Sequence, residues 1–201
     1  MKKPVIFIDF GGVYFTYASH GLKPFFKKFN VTHDKMLKIL VGGTNWTNHA
    51  TGKTDEDTYW KYVAKKLNAS DKQIDEIRTI WYNHPSVQDG MAKLIKNLKK
   101  KYTVAALSSI TAPWIEVLEK NHNISEIFHD HHYSFDHGID KPDAEFFMSA
   151  AKKLNVKPED CIVVDDMKKF LSSVKKTGAK TILFKDAKQL ERDLRKLGVE
   201  V

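Results

Sequence analysis

The chain has 201 residues, of which 42% are hydrophobic and 29% charged, a composition that supports one buried core with room for a small insert. Its 33 basic residues outnumber its 25 acidic ones, which favours anionic ligands, but the lysines are spread along the chain without a nucleic-acid-binding motif. Its apolar runs are too short to span a membrane, and one cysteine, Cys161, rules out an internal disulfide. We therefore expect a cytoplasmic protein with no nucleic-acid or membrane partner.

Short apolar runs along the chain predict the strands of the fold. They cover residues 5–8, 103–107, 161–164 and 181–184, and each reads as a strand buried on both faces. Stretches with apolar residues at helical spacing lie between the later runs. This alternation predicts an α/β fold, with a doubly wound, Rossmann-like parallel sheet covered by helices on both sides.

The segment after the first strand breaks the alternation. Residues 17–85 contain only helical patterns, and Trp60 and Trp81 belong to stripes that predict buried helix faces. The glycine-rich stretch 42–45 predicts a loop. We expect residues 17–85 to form an α-helical cap domain inserted into a core domain of residues 1–16 and 86–201.

Polar residues stand at the carboxyl ends of three predicted strands. Asp9 ends the first strand, Ser108 and Ser109 end the second, and Asp165 and Asp166 end the one at 161–164. Because the carboxyl ends of parallel strands meet at one edge of a sheet, where open α/β sheets bind ligands, we expect these side chains to converge. The sequence therefore predicts a functional site at this edge.

The chemistry of this set is that of phosphoryl transfer. Lys141, just ahead of a helix predicted to begin at Pro142, adds an ammonium to the same edge. The Asp9 carboxylate can attack phosphorus and form an aspartyl-phosphate. The paired aspartates offer the hard oxygen ligands that Mg²⁺ prefers, while Lys141 and Ser108 can hold phosphoryl oxygens.

Four segments resemble the motifs of the haloacid dehalogenase superfamily, and they occur in the family's order. They are residues 7–13, 106–109, 138–147 and 163–166. From Asp9 the site residues follow at intervals of 99, 33 and 25 positions, which also fits the family. The chain is identified as a member of the phosphatase branch, with a small helical cap after the first motif.

The resemblance implies a Mg²⁺-dependent phosphatase that hydrolyses small phosphorylated metabolites through an aspartyl-phosphate. It implies Asp9 as nucleophile, Ser108 as a phosphate ligand, and Lys141 as the residue that stabilises both nucleophile and phosphoryl group. The implied protein ligands of the metal are Asp9, the backbone carbonyl of Gly11, Asp165 and Asp166. Asp166 matches the residue that usually binds the metal directly in this family. Asp165 is either a second ligand or the residue that holds one of the metal-bound waters.

The main departure from the family pattern is Gly11. Family phosphatases usually carry there a second aspartate that protonates the leaving group, and loss of a general acid typically removes about 10²–10⁴-fold in rate. A slow enzyme, a substitute acid (His20 or Tyr14), a substrate with a good leaving group, or a non-catalytic protein that binds a phospho-ligand or protein partner all stay open. Ser109, which replaces a common asparagine, is a further predicted substrate contact.

Two further hypotheses concern the type of reaction and the residues that contact the substrate. Carbon–phosphorus or carbon–halogen hydrolysis is an alternative reaction, although the acidic pair argues against a metal-free dehalogenase. Trp46 and His49, in a predicted cap loop without periodicity, are candidate substrate contacts. The sequence leaves a monomer or a homodimer open.

The densest histidine cluster suggests a zinc site as an alternative use of its residues. His129, His131 and His132 alternate in direction if their segment is a strand, so a solvated or edge strand is the favoured interpretation.

Overall fold

The sheet of this protein has five parallel strands. The computed structural model describes residues 3–17, 19 and 21–201. The strands are β1 (Val5–Ile8), β2 (Val104–Ser108), β3 (Asp130–Tyr133), β4 (Cys161–Asp165) and β5 (Lys180–Leu183). Their order is β3-β2-β1-β4-β5, and every neighbouring pair is parallel. The predicted doubly wound parallel sheet is confirmed.

Helices connect the strands and cover both faces. They are α1 (Lys23–Lys28), α2 (His33–Val41), α3 (Gly43–Ala50), α4 (Glu56–Leu67), α5 (Asp71–Asn83), α6 (Met91–Leu98), α7 (Ala112–His122), α8 (Ile124–Ile127), α9 (Ser134–His137), α10 (Ala144–Lys153), α11 (Lys168–Lys175) and α12 (Ala187–Lys196). Among the residues described, no helix has the length and apolar content needed to cross a bilayer. The chain runs outward from β1 to β3, then returns to start β4 on the other side of β1. The switch point of the sheet therefore lies between β1 and β4.

Alternate residues of the central strand pack on opposite faces of the sheet. Ile6 and Ile8 belong to a large apolar cluster with α5, α6 and α7, while Phe7 packs on the other face, edge-on to Phe147 of α10 at 5.6 Å between ring centroids. Both faces of β1 are thus covered, which explains why its sequence is apolar throughout.

Helices α1 to α5 lie in the segment of residues 17–85, between β1 and α6. One apolar cluster runs through these helices and the sheet without interruption, since Ile77 and Trp81 belong to the same cluster as Ile6 and Ile8. Trp81 also contacts Trp114 of α7, with ring centroids 5.2 Å apart. The segment therefore packs against the sheet layer as well as on itself.

The chain passes between this segment and the rest of the protein at two crossings, one at Thr16 and one at Ser86, and these crossings lie side by side. The backbone N–H of Thr16 donates to the carbonyl of Ser86 at 2.8 Å, and the two side-chain oxygens are 3.1 Å apart. One step further, the Gln88 N–H donates to the Tyr14 carbonyl at 2.9 Å and its side-chain amide to the Gly12 carbonyl at 3.0 Å. The segment thus enters and leaves at one place.

Two local predictions are wrong. The stretch 42–45 is not a loop. Only Gly42, which has an extended backbone, separates the end of α2 at Val41 from the start of α3 at Gly43. Helix α3 is held by tertiary packing, which overrides the weak helix propensity of its residues. The helix predicted to begin at Pro142 begins at Ala144 instead, because the Asp143 side chain accepts from the Glu145 N–H at 2.9 Å and caps it.

Candidate active site

The predicted convergence of polar strand ends is present at the switch point. Asp9 directly follows β1, and Asp165 and Asp166 stand at the end of β4, so the parallel pairing of these strands brings three carboxylates together. One oxygen from each lies within 4.8 Å of the other two. Among the residues that the structure describes, this is the one group of three or more metal-binding side chains.

Lys141 binds two of these carboxylates. Its Nζ lies 2.8 Å from Asp9 Oδ1 and 2.6 Å from Asp165 Oδ2, and all three side chains are buried. The other oxygen of Asp165 accepts from the backbone N–H of Met167 at 2.7 Å. Asp165 is thereby fixed from both sides, which holds the Lys141 ammonium beside Asp9.

Burial and crowding shape the charges of this cluster. Three carboxylates and one ammonium carry a formal net charge of −2 when all are ionised. Burial, followed by the charges of Asp165 and Asp166, raises the pKa of Asp9, while Lys141 acts to lower it. Burial acts to lower the pKa of Lys141, but the two carboxylates it binds outweigh that effect and raise it. The excess negative charge favours the binding of a cation by this cluster.

The donor set fits a Mg²⁺ ion. Asp166 Oδ1 is buried and has no hydrogen-bond partner among the described residues, which is the state of a ligand oxygen awaiting a cation. A side chain at Gly12, whose φ is +77°, would overlap Asp166 Oδ2, so the backbone approaches the carboxylate at a distance that only glycine permits. Hard carboxylate oxygens in this number suit Mg²⁺.

Tyr17 is a site residue that the sequence did not reveal. Its hydroxyl donates to Asp166 Oδ2 at 3.0 Å, and its ring covers Gly11 and Gly12. Burial, followed by the charges of Asp166 and Asp9, raises the pKa of Tyr17, so its hydroxyl stays a donor. No residue pattern signals this role, because the chain must reverse after β1 to bring Tyr17 back over the strand end.

Gly11 has an ordinary backbone. Its φ lies outside the left-handed region, and a Cβ there would meet Tyr17 Cε1 at 3.4 Å, an ordinary contact. Tyr17 therefore fills the volume into which a longer side chain at position 11 would point.

The two serines at the end of β2 differ in their contacts. Ser108 is buried and lines the cavity beside Asp9. Ser109 also lines the cavity, but its hydroxyl is hydrogen-bonded to the Asp140 carboxylate and accepts from the Lys141 N–H at 3.4 Å. Ser109 thus supports the loop that carries Lys141.

A cavity of about 110 Å³ lies above the charged cluster. Asp9, Asp166 and Lys141 form its floor, and apolar side chains form most of its walls. These are Phe10, Phe15, Val41, Trp46, Pro85, Ile110, Trp114, Leu118 and Met167. Val41 ends α2 and Trp46 lies on α3, so these two helices close the cavity from above.

Helix α3 is joined to the core by two hydrogen bonds. The Thr47 hydroxyl bonds the carboxylate of Asp140, next to Lys141. The buried Ser134 hydroxyl donates to the Ala50 carbonyl at 2.6 Å and accepts from the Ile110 N–H at 3.0 Å. The cap side of the cavity is thereby linked to the loops that follow β2 and β3.

The structure separates Trp46 from the other predicted cap contact, His49. His49 does not line the cavity but is buried inside the cap, stacked on Tyr59 at 4.3 Å, with Nδ1 3.1 Å from the Thr54 carbonyl. Burial lowers its pKa. Both residues lie on α3 rather than in a loop, and of the two only Trp46 lines the cavity.

One of the two candidate substitute acids, Tyr14, lies in the described part of the chain. The Tyr14 ring packs against Phe15 and Phe128, and the residue lines a different cleft from that of Asp9. His20 lies outside the described residues.

The histidine cluster forms part of strand β3 and its neighbours. His131 Nε2 is 3.0 Å from the Ile124 carbonyl, whereas His132 Nε2 is 2.7 Å from Ser149 Oγ. Their different partners agree with the predicted alternation across a strand.

The sequence matches the family model "haloacid dehalogenase-like hydrolase" over residues 9–169. Similar curated proteins include drimenol cyclase drtB of Aspergillus calidoustus (23% identity over 94% of this chain and 35% of that protein) and flavin mononucleotide hydrolase 1 of Arabidopsis thaliana (25% over 78% and 63%). Glyceraldehyde 3-phosphate phosphatase of Pyrococcus furiosus is 31% identical over 52% of this chain and 45% of that protein. The chain spans between about a third and just under two thirds of these relatives.

Solved structures share the fold. The enzyme bt-2542 of Bacteroides thetaiotaomicron superposes with a TM-score of 0.76 at 20% identity, over 96% of this chain and 98% of that one. A second structure of bt-2542, in complex with magnesium and inorganic phosphate, gives a TM-score of 0.71 at 20% identity, over 92% and 96%.

Proposed function

The chain belongs to the haloacid dehalogenase-like hydrolases, and from this premise we propose that it is a Mg²⁺-dependent phosphatase acting on small phosphate monoesters through an aspartyl-phosphate. The observation that carries the proposal is the buried cluster in which Lys141 binds both Asp9 and Asp165 beside Asp166. Three carboxylates around one ammonium are the charge pattern of a cation and phosphate site.

Asp9 is proposed as the nucleophile. One of its oxygens attacks phosphorus, the bond from phosphorus to the ester oxygen breaks, and the alcohol leaves with that bond's electrons and takes up a proton. Water then attacks the phosphorus of the aspartyl-phosphate, which frees inorganic phosphate and restores the carboxylate. The position of Asp9 at the floor of the cavity, with Oδ1 2.8 Å from the Lys141 ammonium, supports its role as nucleophile.

Lys141 and Ser108 are proposed to hold the phosphoryl oxygens. Both line the floor of the cavity, and Lys141 is fixed by Asp165 before a substrate enters. A fixed ammonium in a buried site stabilises developing negative charge without first having to reorient.

The proposed metal-holding residues are Asp9, the Gly11 carbonyl and Asp166, with Asp165 as a second ligand or the holder of a metal-bound water. When bound, Mg²⁺ would supply positive charge that offsets the crowding of carboxylates and phosphate. Tyr17 is proposed to position Asp166, since its hydroxyl donates to one carboxylate oxygen and leaves the other without a partner among the described residues.

Residues 17–85 are proposed to act as the cap over this site. The positions of Val41 and Trp46 above the charged floor support a cap that excludes water from the reacting groups. The adjacent crossings at Thr16 and Ser86 are the proposed hinge. The names of two relatives, a flavin mononucleotide hydrolase and a glyceraldehyde 3-phosphate phosphatase, support action on a phosphorylated small molecule.

The test is hydrolysis of an aryl phosphate with and without Mg²⁺ by the wild type, Asp9→Asn and Asp57→Asn. Asp57→Asn is the matched control because that aspartate is exposed on α4. We expect turnover that needs Mg²⁺, falls by at least about 10³-fold in Asp9→Asn and is unchanged in the control. Mass spectrometry of acid-quenched protein should find a phosphoryl group on the Asp9 peptide. Full turnover by Asp9→Asn, or no turnover of the aryl phosphate and of short alkyl phosphates by the wild type, overturns the proposal.

A further inference from the structure

We propose that the site is specific for phosphate esters with a short, apolar and uncharged organic group. This inference rests on the proposed phosphatase function and concerns which monoesters the cavity accepts. It is carried by the contrast between the floor of the cavity and its walls.

Charge is confined to the floor. Among the described residues that line the cavity, the charged ones are Asp9, Lys141 and Asp166, all of which belong to the cluster already described. The walls offer aromatic and aliphatic surface from both sides, with Trp46 of α3 on the cap side and Trp114 of α7 on the core side. A second charged group on the substrate would therefore face carbon atoms.

Most polar groups of the walls already have partners. The Thr16 hydroxyl lies 3.1 Å from Ser86 Oγ, and the Tyr17 hydroxyl donates to Asp166. Ser109 bonds the loop that carries Lys141. Among the described residues, the indole N–H groups of Trp114 and Trp46 have no hydrogen-bond partner, so the walls offer two indole donors and no set of paired donors and acceptors. The hydroxyls of a sugar or polyol would lose water in this cavity and gain few hydrogen bonds.

The size of the cavity limits the organic group. Its volume of about 110 Å³ is below the roughly 150 Å³ of an apolar protein cavity that holds one benzene molecule. Such a space accommodates a phosphoryl group with a short chain. Trp46 and Trp114 are the proposed specificity-determining residues, because these two large side chains line the space from different helices, α3 and α7.

The experiment compares two esters of nearly equal shape. 2-Methylbutyl phosphate has carbon atoms where glycerol 3-phosphate has its two free hydroxyls. We expect kcat/KM with Mg²⁺ to be at least about tenfold higher for the alkyl ester. The alkyl alcohol is the more basic leaving group, so leaving-group chemistry alone would produce the opposite order. A preference for the alkyl ester would therefore be due to the apolar walls of the cavity and not to the leaving group.

A variant pair connects the preference to the wall. Val41→Thr keeps the side-chain shape and adds a hydroxyl to the cavity, and we expect it to reduce the preference by about threefold. Val31→Thr, outside the cavity-lining set, should leave the preference unchanged. Equal or faster hydrolysis of glycerol 3-phosphate by the wild type overturns this inference and leaves the phosphatase intact. Failure to hydrolyse either ester or the aryl phosphate instead overturns the phosphatase proposal itself.

Discussion

The floor and the roof of the cavity are built in different ways. The floor consists of strand ends whose side chains are fixed by direct charge pairs, such as Lys141 with Asp9 and Asp165. The roof consists of α2 and α3, which are held by aromatic packing and by two hydrogen bonds from Thr47 and Ser134. Changes in the floor should therefore alter charge, metal binding and chemistry, whereas changes in the roof should alter packing and substrate fit.

The largest expected effect is that of Lys141→Met. Removing the ammonium leaves two buried carboxylates without their counter-charge, and breaking a buried pair typically costs about 3–5 kcal/mol of unfolding free energy. Lys153→Met is the matched control, since the Lys153 pair with Asp130 is partly exposed and is worth less than about 1 kcal/mol. Urea unfolding of both variants at pH 7 measures the difference. Equal losses of unfolding free energy in the two variants would show that the buried charge pairs of the floor stabilise the protein no more than a surface pair.

Asp166→Asn should separate metal binding from stability. The variant loses a ligand, so Mg²⁺ binding measured by calorimetry should weaken by at least about 100-fold. When the Mg²⁺ concentration is 100 times the dissociation constant of the wild type, bound Mg²⁺ should raise the unfolding free energy of the wild type by about 2.7 kcal/mol. At the same Mg²⁺ concentration the variant should lose most of this gain.

Without Mg²⁺, Asp166→Asn should be at least as stable as the wild type. Burial and the charge of Asp165 raise the pKa of Asp166, which means that its ionised form is disfavoured in the folded protein. Thermal unfolding in a chelating buffer tests this. A clear loss of metal-free stability would mean that Asp166 has a structural role in the floor.

Gly11→Asp tests the missing acid. The backbone at Gly11 suits any residue, but the introduced carboxylate would press on the Tyr17 ring. We expect wild-type rates on phosphate esters to fall steeply as the leaving group becomes more basic. Gly11→Asp should raise the rate on alkyl esters by about tenfold, less than the usual 10²–10⁴ of a general acid because Tyr17 must shift. A flat wild-type series over graded leaving groups would indicate that another group already donates the proton, and repeating the series on His20→Ala would test that residue.

The smallest effects are expected in the roof, from two residues of the same helix. Trp46→Phe should raise KM by severalfold, because Trp46 lines the cavity, and it keeps an aromatic ring against Tyr59. His49→Gln should leave KM unchanged and lower stability by about 1 kcal/mol, because it removes the stack on Tyr59. Steady-state kinetics and urea unfolding of both variants provide the test. A KM change in His49→Gln would show that cap packing and substrate fit cannot be separated.

The sequence predicted the floor better than the roof for physical reasons. Strands buried on both faces must be apolar throughout, so β1 and β4 stood out, and the residues that end them had to share one edge of the sheet. Helix α3 has few strong helix formers and owes its shape to neighbours, so the sequence pattern indicated a loop. Trp46 and His49 are three positions apart on it, and no periodicity could show that they face different surroundings. Tyr17 was missed because its place depends on the chain reversal at Gly12.

The side-by-side crossings at Thr16 and Ser86 have a consequence for the history of the chain. A segment whose two ends lie side by side, joined by hydrogen bonds between Thr16 and Ser86, can be gained or lost in one genetic event without displacing any strand of the sheet. Its replacement by another insert would leave Asp9 and Asp165 at their strand ends and exchange the surface that faces the substrate, together with Tyr17, which donates to Asp166. The geometry thus lets one catalytic edge be paired with many recognition modules, while the apolar cluster shared by Trp81 and Ile8 limits the exchange to inserts that cover the same face of the sheet.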